Sequence, residues 1–205
     1  MRRTLFVPMV TAAVAAVVLA GCGSGSTPPT GTGSASVSQA PAPAASEPNP
    51  AGDIPDNQVY VLYAPGGSNG AFTVKVPEGW ARTDSAGTVS FTDKLNRIEI
   101  VPRSGAAAPT SQSVSAQVVP GLRQHVPKFA MGKVGVVSRQ AGPVVLLTYQ
   151  GDTAPDPVTG KVVHDAFERY AFHSGSREVD LTLSGPVGAD NVDPWRIVTD
   201  SFRWQ

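Results

Sequence analysis

Cysteine is nearly missing from this chain of 205 residues, which has a single thiol at Cys22. One thiol cannot form an intramolecular disulfide or build a cysteine-based metal site. Because Cys22 precedes a long stretch poor in large apolar residues, it lies outside the part of the chain that can form a core. We therefore expect the folded part to be stabilised by its apolar core alone.

An excess of charge of either sign is missing as well. The chain carries 16 Lys and Arg against 16 Asp and Glu, and only 16% of its residues are charged. Setting aside Arg2, Arg3 and Glu47 leaves the remainder close to neutral. A neutral surface exerts no long-range attraction on nucleic acid or anionic lipid. We expect no nucleic-acid partner.

No apolar run is long enough for an ordinary membrane-spanning helix. The longest extends from Leu5 to Leu19, whereas a spanning helix needs about 20 apolar residues. The positively charged Met1-Arg2-Arg3 precedes this run, and the small residues Ala20-Gly21 follow it. These three parts predict a secretory signal peptide over residues 1–21.

The residues Leu19-Ala20-Gly21-Cys22 resemble the lipobox of bacterial lipoprotein signals. The alternative is an ordinary signal peptide that ends near a cysteine. The resemblance implies that Cys22 becomes the first mature residue and carries diacylglycerol on its sulfur, with fatty acyl chains such as palmitate. Two acyl chains suffice for stable anchoring. We therefore expect a lipid-anchored protein on the extracytoplasmic face of the cell membrane.

Residues 22–52 have Val37 as their only large apolar residue. The Gly, Ser, Thr, Ala and Pro that dominate this segment cannot bury enough surface to offset the entropy of ordering. We predict a disordered tether with a reach on the order of 30 Å. Threonines beside prolines are candidates for O-linked sugar, at Thr27, Thr30 and Thr32. The remainder, residues 53–205, is long enough for one globular domain.

Motifs for catalysis are weak in the predicted domain. The Gly-x-Ser-x-Gly spacing occurs at residues 66–70, but it falls between two segments with strand patterns, whereas a nucleophile turn joins a strand to a helix. Ser174-Gly175-Ser176 fits a hairpin turn better. The three histidines have no metal-binding spacing, at His125, His164 and His173. The last two would stand about 30 Å apart on one straight strand. We predict no catalytic residue, no metal and no cofactor, and therefore no enzyme.

Two acidic clusters are candidates for Ca²⁺, which prefers oxygen ligands. Their members are Asp152 and Asp156, with Thr159 and Gly160, in a proline-rich loop, and Asp190, Asn191 and Asp193 before a predicted helix. Structural roles explain both clusters better, because hairpin loops need Asp-Pro and Gly, and helix starts favour Asp and Asn. Metal binding is the weaker hypothesis.

Three tryptophans can each bury a large apolar area or anchor a partner, at Trp80, Trp195 and Trp204. We expect core packing for all three. Trp204 is the one closest to a chain end, where order is often lost.

Alternation of apolar and polar residues predicts strands with one buried face. It is clearest at residues 72–76 and 178–184, whereas residues 144–149 and 162–172 are apolar on both faces and fit central strands. Further strands are predicted at residues 59–63, 97–101 and 134–139. Turn sequences at Asn69-Gly70 and at residues 156–160 favour antiparallel pairing.

Two segments have helical spacing. Val114, Val118 and Leu122 form an apolar stripe over residues 113–125, where Pro120 should kink or shorten the helix. The second helix is predicted to start with Asp193 as its cap and Pro194 in the first helical position. Val192 should then pack on Ile197 across the cap. Trp195, Val198 and Phe202 should share one face, before a short final strand at residues 202–204.

The order of these elements is similar to the PsbP/Mog1-like fold. The motifs that support the resemblance are Val76-Pro77-Glu78-Gly79-Trp80 after the opening strands, and Pro194-Trp195-Arg196-Ile197-Val198 with Ser201-Phe202 near the end. The resemblance covers about residues 58–204. It implies an α+β fold, an α/β/α sandwich around a central, mostly antiparallel sheet.

The resemblance also implies a class of function. Proteins of this fold are mostly accessory, assembly or partner-binding proteins without a common catalytic site, so no functional residue is carried over. The chain resembles the actinobacterial lipoproteins that contain such a domain. A non-enzymatic module of the cell envelope that binds another envelope protein is therefore expected. The alternative is a carrier or sensor of a small apolar or glycolipid ligand, which would need a deep apolar cavity.

Overall fold

A seven-stranded antiparallel sheet forms the centre of the part described by the computed structural model, residues 51–66, 72–104, 107–156 and 158–205. In spatial order its strands are β3 (Ala81–Ser85), β4 (Thr88–Asp93), β5 (Asn96–Ser104), β9 (Arg177–Pro186), β8 (His164–Ser174), β7 (Gly142–Asp152) and β6 (Ala130–Arg139). Consecutive strands in this order pair antiparallel. Five of the predicted strands belong to this sheet, whereas β3 and β4 were not predicted.

A second sheet has three strands, β1 (Tyr60–Tyr63), β2 (Phe72–Pro77) and β10 (Arg203–Trp204), with β2 in the centre. Both of its pairings are antiparallel. This sheet confirms the predicted strands at residues 59–63 and 72–76 and the short strand at the end. The predicted turn at Asn69-Gly70 lies outside the described residues.

The helical segment between β5 and β6 changes its winding partway. It consists of α1 (Ser111–Ser113), a π-helical stretch (Val114–Val118) and α2 (Val119–His125). The hydroxyl of Thr110 caps its start by accepting from the amide of Ser113 at 3.0 Å. The wide π turn ends two residues before Pro120, which lies in the first turn of α2 and has no N–H to donate. The predicted helix over residues 113–125 is thus confirmed, together with its irregularity at the proline.

The last helix, α3 (Val192–Asp200), starts two residues earlier than predicted. Its cap position is Asn191, whose side chain makes no capping hydrogen bond. That side chain accepts from the amide of Ile54 at 2.8 Å and donates to the Gly52 carbonyl and to Asn96, both at 3.0 Å. The prediction of Asp193 as the cap is wrong, because these long-range hydrogen bonds are not visible in the local sequence. Val192 is 72% exposed and is not a buried staple.

Apolar side chains pack on both faces of the seven-stranded sheet. On one face, α3 and the small sheet enclose a cluster in which Phe202 stacks between Phe72 and Phe172, with centroid distances of 5.3 and 4.0 Å. On the other face, Val114 and Val119 of the helical segment pack in a second cluster with side chains of β7 and β8. These layers confirm the predicted α/β/α sandwich, in which the small sheet shares a layer with α3.

The tryptophans belong to the first of these clusters. Trp195 is buried in it, and Trp80 and Trp204 pack against it half-buried. Within the described ranges, no helix is long and apolar enough to cross a membrane. The predicted signal peptide and Cys22 lie outside those ranges and stay predictions.

Candidate functional site

The helical segment covers only part of its face of the sheet. It packs on β7 and β8, whereas the side chains that β5 and β9 point to the same side are mostly polar or charged. This difference leaves an open groove of about 570 Å³ beside α2, which we call the polar groove. It is lined by Arg97, Glu99, Val101, Arg103, Gln117, Val118, Gly121, Leu122, His125, Tyr149, Phe167, Arg169, Glu178, Asp180, Thr182 and Ser184.

Asp180 of β9 holds two arginines together in the polar groove. Its Oδ2 accepts from Arg103 Nε at 2.6 Å and from Arg169 Nη2 at 2.5 Å. The Asp180 side chain is 2% exposed and that of Arg169 is 10% exposed, whereas Arg103 is 56% exposed. The other oxygen, Asp180 Oδ1, is buried and has no hydrogen-bond partner in the described part of the chain. One oxygen of the buried carboxylate is therefore paired with two guanidinium groups, and the other accepts from neither of them.

A second carboxyl group lies next to Asp180 on the same face of β9. Burial raises the pKa of Glu178, and the negative charge of Asp180 raises it further. Arg169 and Arg103 act in the opposite direction. Two carboxyl groups in one desolvated place cannot both ionise freely. Protonation of Glu178 is therefore easier than for an exposed glutamate, and the proton can be donated to Asp180.

A stacked aromatic pair and an ion pair form parts of the wall of the polar groove. Tyr149 and Phe167 stack with parallel rings at a centroid distance of 4.5 Å. Burial raises the pKa of Tyr149 to about 12, so its hydroxyl stays protonated near neutral pH. Arg97 Nη2 lies 2.6 Å from Glu99 Oε2 on β5, at the open side of the groove. The three arginines of the groove are thus each paired with a carboxylate before any partner binds.

The histidines occupy separate places. His164 and His173 lie at opposite ends of β8, as predicted, and His125 is the last residue of α2. Only His125 lines the polar groove, where its Nδ1 is 2.8 Å from the Gly121 carbonyl oxygen. Among the residues that the structure describes, no group of three or more His, Cys, Asp or Glu is placed to hold a metal ion.

The two acidic clusters have structural partners. Asp152 pairs with Lys128 at 2.9 Å and with His164 at 2.7 Å, and these contacts lower its pKa. Asp156 accepts from the amide and hydroxyl of Thr159, which lower its pKa and fix the loop between β7 and β8. In the other cluster, Asn191 is held by the hydrogen bonds described above. The loop role expected for Asp156 is therefore observed, whereas Asn191 connects remote parts of the chain and does not cap the helix.

The residues of the polar groove were not identified from the sequence. Alternation places Glu178 and Asp180 on the polar face of their strand, although Asp180 is buried and Glu178 is half-buried. One signal was available, because charged residues alternate with apolar residues at 97–100 and at 178–181. Pairing of β5 with β9 places Arg103 opposite Glu178 and Val101 opposite Asp180. Sequence spacing alone does not reveal that pairing.

Comparison with known proteins identifies the fold. No protein-family model and no curated protein matches this chain. Among solved structures, it is similar to the cyanobacterial PsbP of Synechocystis, at 15% identity and a TM-score of 0.51, over 77% of this chain and 100% of that one. The domain has the PsbP/Mog1-like α+β fold.

Two other solved structures are more distant. The Ran-binding protein Mog1p of Saccharomyces cerevisiae is 8% identical, with a TM-score of 0.47 over 71% of this chain and 95% of that one. LpqN of Mycobacterium tuberculosis, which is involved in cell envelope biogenesis, is 15% identical, with a TM-score of 0.37 over 73% of this chain and 86% of that one. At these identities the likeness concerns the fold alone.

Proposed function

We propose that this chain is a non-enzymatic binding module of the cell envelope. In this proposal, lipid on Cys22 holds it to the extracytoplasmic face of the membrane, and the polar groove binds another envelope protein. The observation that carries the proposal is the groove itself, in which Arg103 and Arg169 converge on the buried Asp180 beside an uncovered part of the sheet.

The paired charges of the groove support binding of a protein segment. Side chains that are already paired lose little freedom when a partner arrives, which favours affinity. Charges of both signs on one surface also select a partner with the complementary pattern. These properties favour recognition of a polar protein surface.

The alternative, a carrier of an apolar or glycolipid ligand, fits the groove less well. That function would need a deep cavity with apolar walls. The polar groove is open, and arginines and carboxylates of β5, β8 and β9 form its floor. Apolar ligands would leave these charges desolvated, which is costly.

Anchoring is tested by Cys22→Ala. We expect the protein to move from the membrane fraction to the soluble fraction of cells, because the predicted acyl chains are attached through the Cys22 sulfur. The measurement is fractionation followed by immunoblotting. Cys22→Ser, which also lacks the thiol, should behave in the same way. A Cys22→Ala protein that still sediments with membranes would contradict lipid anchoring.

Partner binding is tested by photo-crosslinking in intact cells. A photoreactive residue at Gln117, which is exposed on the rim of the polar groove, should capture one discrete envelope protein. The same residue at Val136, exposed on the edge strand β6, should not. Capture of lipid at Gln117 in place of protein would favour the carrier alternative and contradict the protein-binding proposal.

A charge reversal makes this experiment specific. Arg97→Glu should lower the crosslinking yield at Gln117 by about tenfold, which corresponds to roughly 1.4 kcal/mol. Arg82→Glu is the matched control, because Arg82 and Arg97 are both 49% exposed and each pairs with an acidic residue on its own strand. Arg82 lies on β3, outside the polar groove. Equal yields from the two variants would count against the groove as the binding surface.

A further inference from the structure

A second groove lies on the same side of the sheet, between β5 and the loop that joins β7 to β8. Its volume is about 520 Å³, and apolar side chains form much of its wall, from Leu95, Ala154, Pro155 and Val163. Asp165 and Ser184 line its floor. We call it the Asp165 groove. It meets the polar groove at Arg97 and Ser184, which line both.

Asp165 is an unusual residue for such a position. It is 2% exposed, and its Oδ1 is buried without a hydrogen-bond partner in the described part of the chain. It also forms no ion pair there, in contrast to Asp180. A buried acidic group that has one unsatisfied oxygen and no counter-charge costs free energy, and native proteins keep few of them. A role that requires the carboxyl group would explain why this one is present.

The charge of Asp165 depends on pH within an accessible range. Burial raises the pKa of the Asp165 carboxyl to about 6, although a hydrogen bond from Ser184 and the charge of His164 lower it. Near neutral pH the group is therefore mostly ionised. The other charged or titratable groups that face it across the groove are Lys94, Arg97, Asp156 and Lys161. His164 points instead to Asp152, at 2.7 Å.

We propose that the Asp165 groove binds a small molecule that has an apolar body and a protonated amine, with the ammonium group paired to the carboxylate of Asp165. The apolar wall removes the body of the ligand from water, and the ammonium group supplies the missing counter-charge. Lys94 and Lys161 do not prevent this, because both are exposed and therefore well screened. The ligand of the Asp165 groove is thus a small amine, whereas the polar groove is proposed to bind a protein.

Phenethylamine is a suitable probe, and phenethyl alcohol is its uncharged match in shape. Each is titrated into the purified protein, and the amide signals of Val163, Asp165 and Ser184 are followed by NMR. We expect the amine to bind with a dissociation constant on the order of 1 mM and the alcohol at least about tenfold more weakly. Lowering the pH from about 7.5 to about 5 should reduce the affinity for the amine about tenfold, because protonated Asp165 carries no negative charge.

Two variants locate the interaction. Asp165→Asn should reduce the affinity for phenethylamine at least about tenfold. Asp84→Asn, which changes an exposed carboxylate of β3, should leave this affinity unchanged. Equal affinity of amine and alcohol for the unmodified protein would overturn the proposal without any variant. Equal affinity of the amine for Asp165→Asn and the unmodified protein would also overturn it, as would the absence of shifts up to about 20 mM probe. None of these outcomes bears on crosslinking at Gln117.

Discussion

Replacing Asp180 with Ala is expected to lower the free energy of unfolding by about 3–5 kcal/mol. The change leaves the guanidinium of Arg169, which is 10% exposed, without its counter-charge, and it removes one partner of Arg103. An unpaired charge in a desolvated place is far more costly than the loss of an exposed pair. Urea unfolding of the purified variant and the unmodified protein at pH 7 measures the difference.

Asp84→Ala is the matched control, because it breaks an exposed pair with Arg82, at 2.8 Å, for which we expect a loss below about 1 kcal/mol. The double variant Asp180→Leu with Arg169→Met should recover most of the stability, because it leaves no buried charge. If Asp180→Ala costs no more than Asp84→Ala, then Asp180 and Arg169 are better solvated than the structure shows.

The recovery expected for the double variant bears on function. If apolar residues can replace the pair without loss of stability, folding does not explain why Asp180 and Arg169 are charged. Their charges then serve the surface that the polar groove presents, which is where binding of a partner was proposed. We therefore expect the double variant to fold and still to lose the crosslink at Gln117.

The strands with strong apolar alternation could be predicted from the sequence, and those without it could not. In β9, Val179, Leu181 and Leu183 are buried at every second position, and the pattern was sufficient. In β3 every residue is exposed, so no apolar period exists to be recognised. This strand is held by its pairing with β4, a contact between neighbouring segments that composition does not report.

The helices could be located from the sequence, but the start of α3 could not. The stripe of Val114, Val118 and Leu122 predicted the helical segment because it reflects burial against the sheet. The start of α3 was misplaced because Asn191 is bonded to Ile54, Gly52 and Asn96, which are remote in sequence. Local capping rules cannot anticipate a side chain that is used by another part of the fold.

The residues of both candidate sites are brought together by contacts between segments that are remote in sequence. The alternation of Glu178 and Asp180 with apolar residues correctly predicted a strand with one polar face. Only the pairing of β9 with β5 and β8 places Arg103 and Arg169 around Asp180. No pattern in the sequence marks Asp165 as a site residue, because its burial results from elements that pack around the end of β8.

Replacing Asp165 with Asn is expected to stabilise the protein near neutral pH. In the folded protein the pKa of Asp165 is raised from 3.8 to about 6. The folded state therefore binds the proton more tightly than the unfolded state, and the stability of the unmodified protein falls as the pH rises from about 4 to about 6. Above that range the loss of unfolding free energy caused by ionised Asp165 is complete, at most about 3 kcal/mol by linkage. Asparagine carries no charge at any of these pH values, so the variant does not lose this stability.

Urea unfolding of Asp165→Asn and the unmodified protein at several pH values tests this expectation. The two should be similar at about pH 4, and the variant should be about 1–3 kcal/mol more stable above about pH 6.5. Asp84→Asn should show no comparable change with pH, because Asp84 is exposed. A difference that is the same at all pH values would mean that Asp165 is not desolvated in the folded protein. If Asp165→Asn is more stable than the unmodified protein but no longer binds phenethylamine, then the Asp165 carboxylate destabilises the fold and is needed for ligand binding.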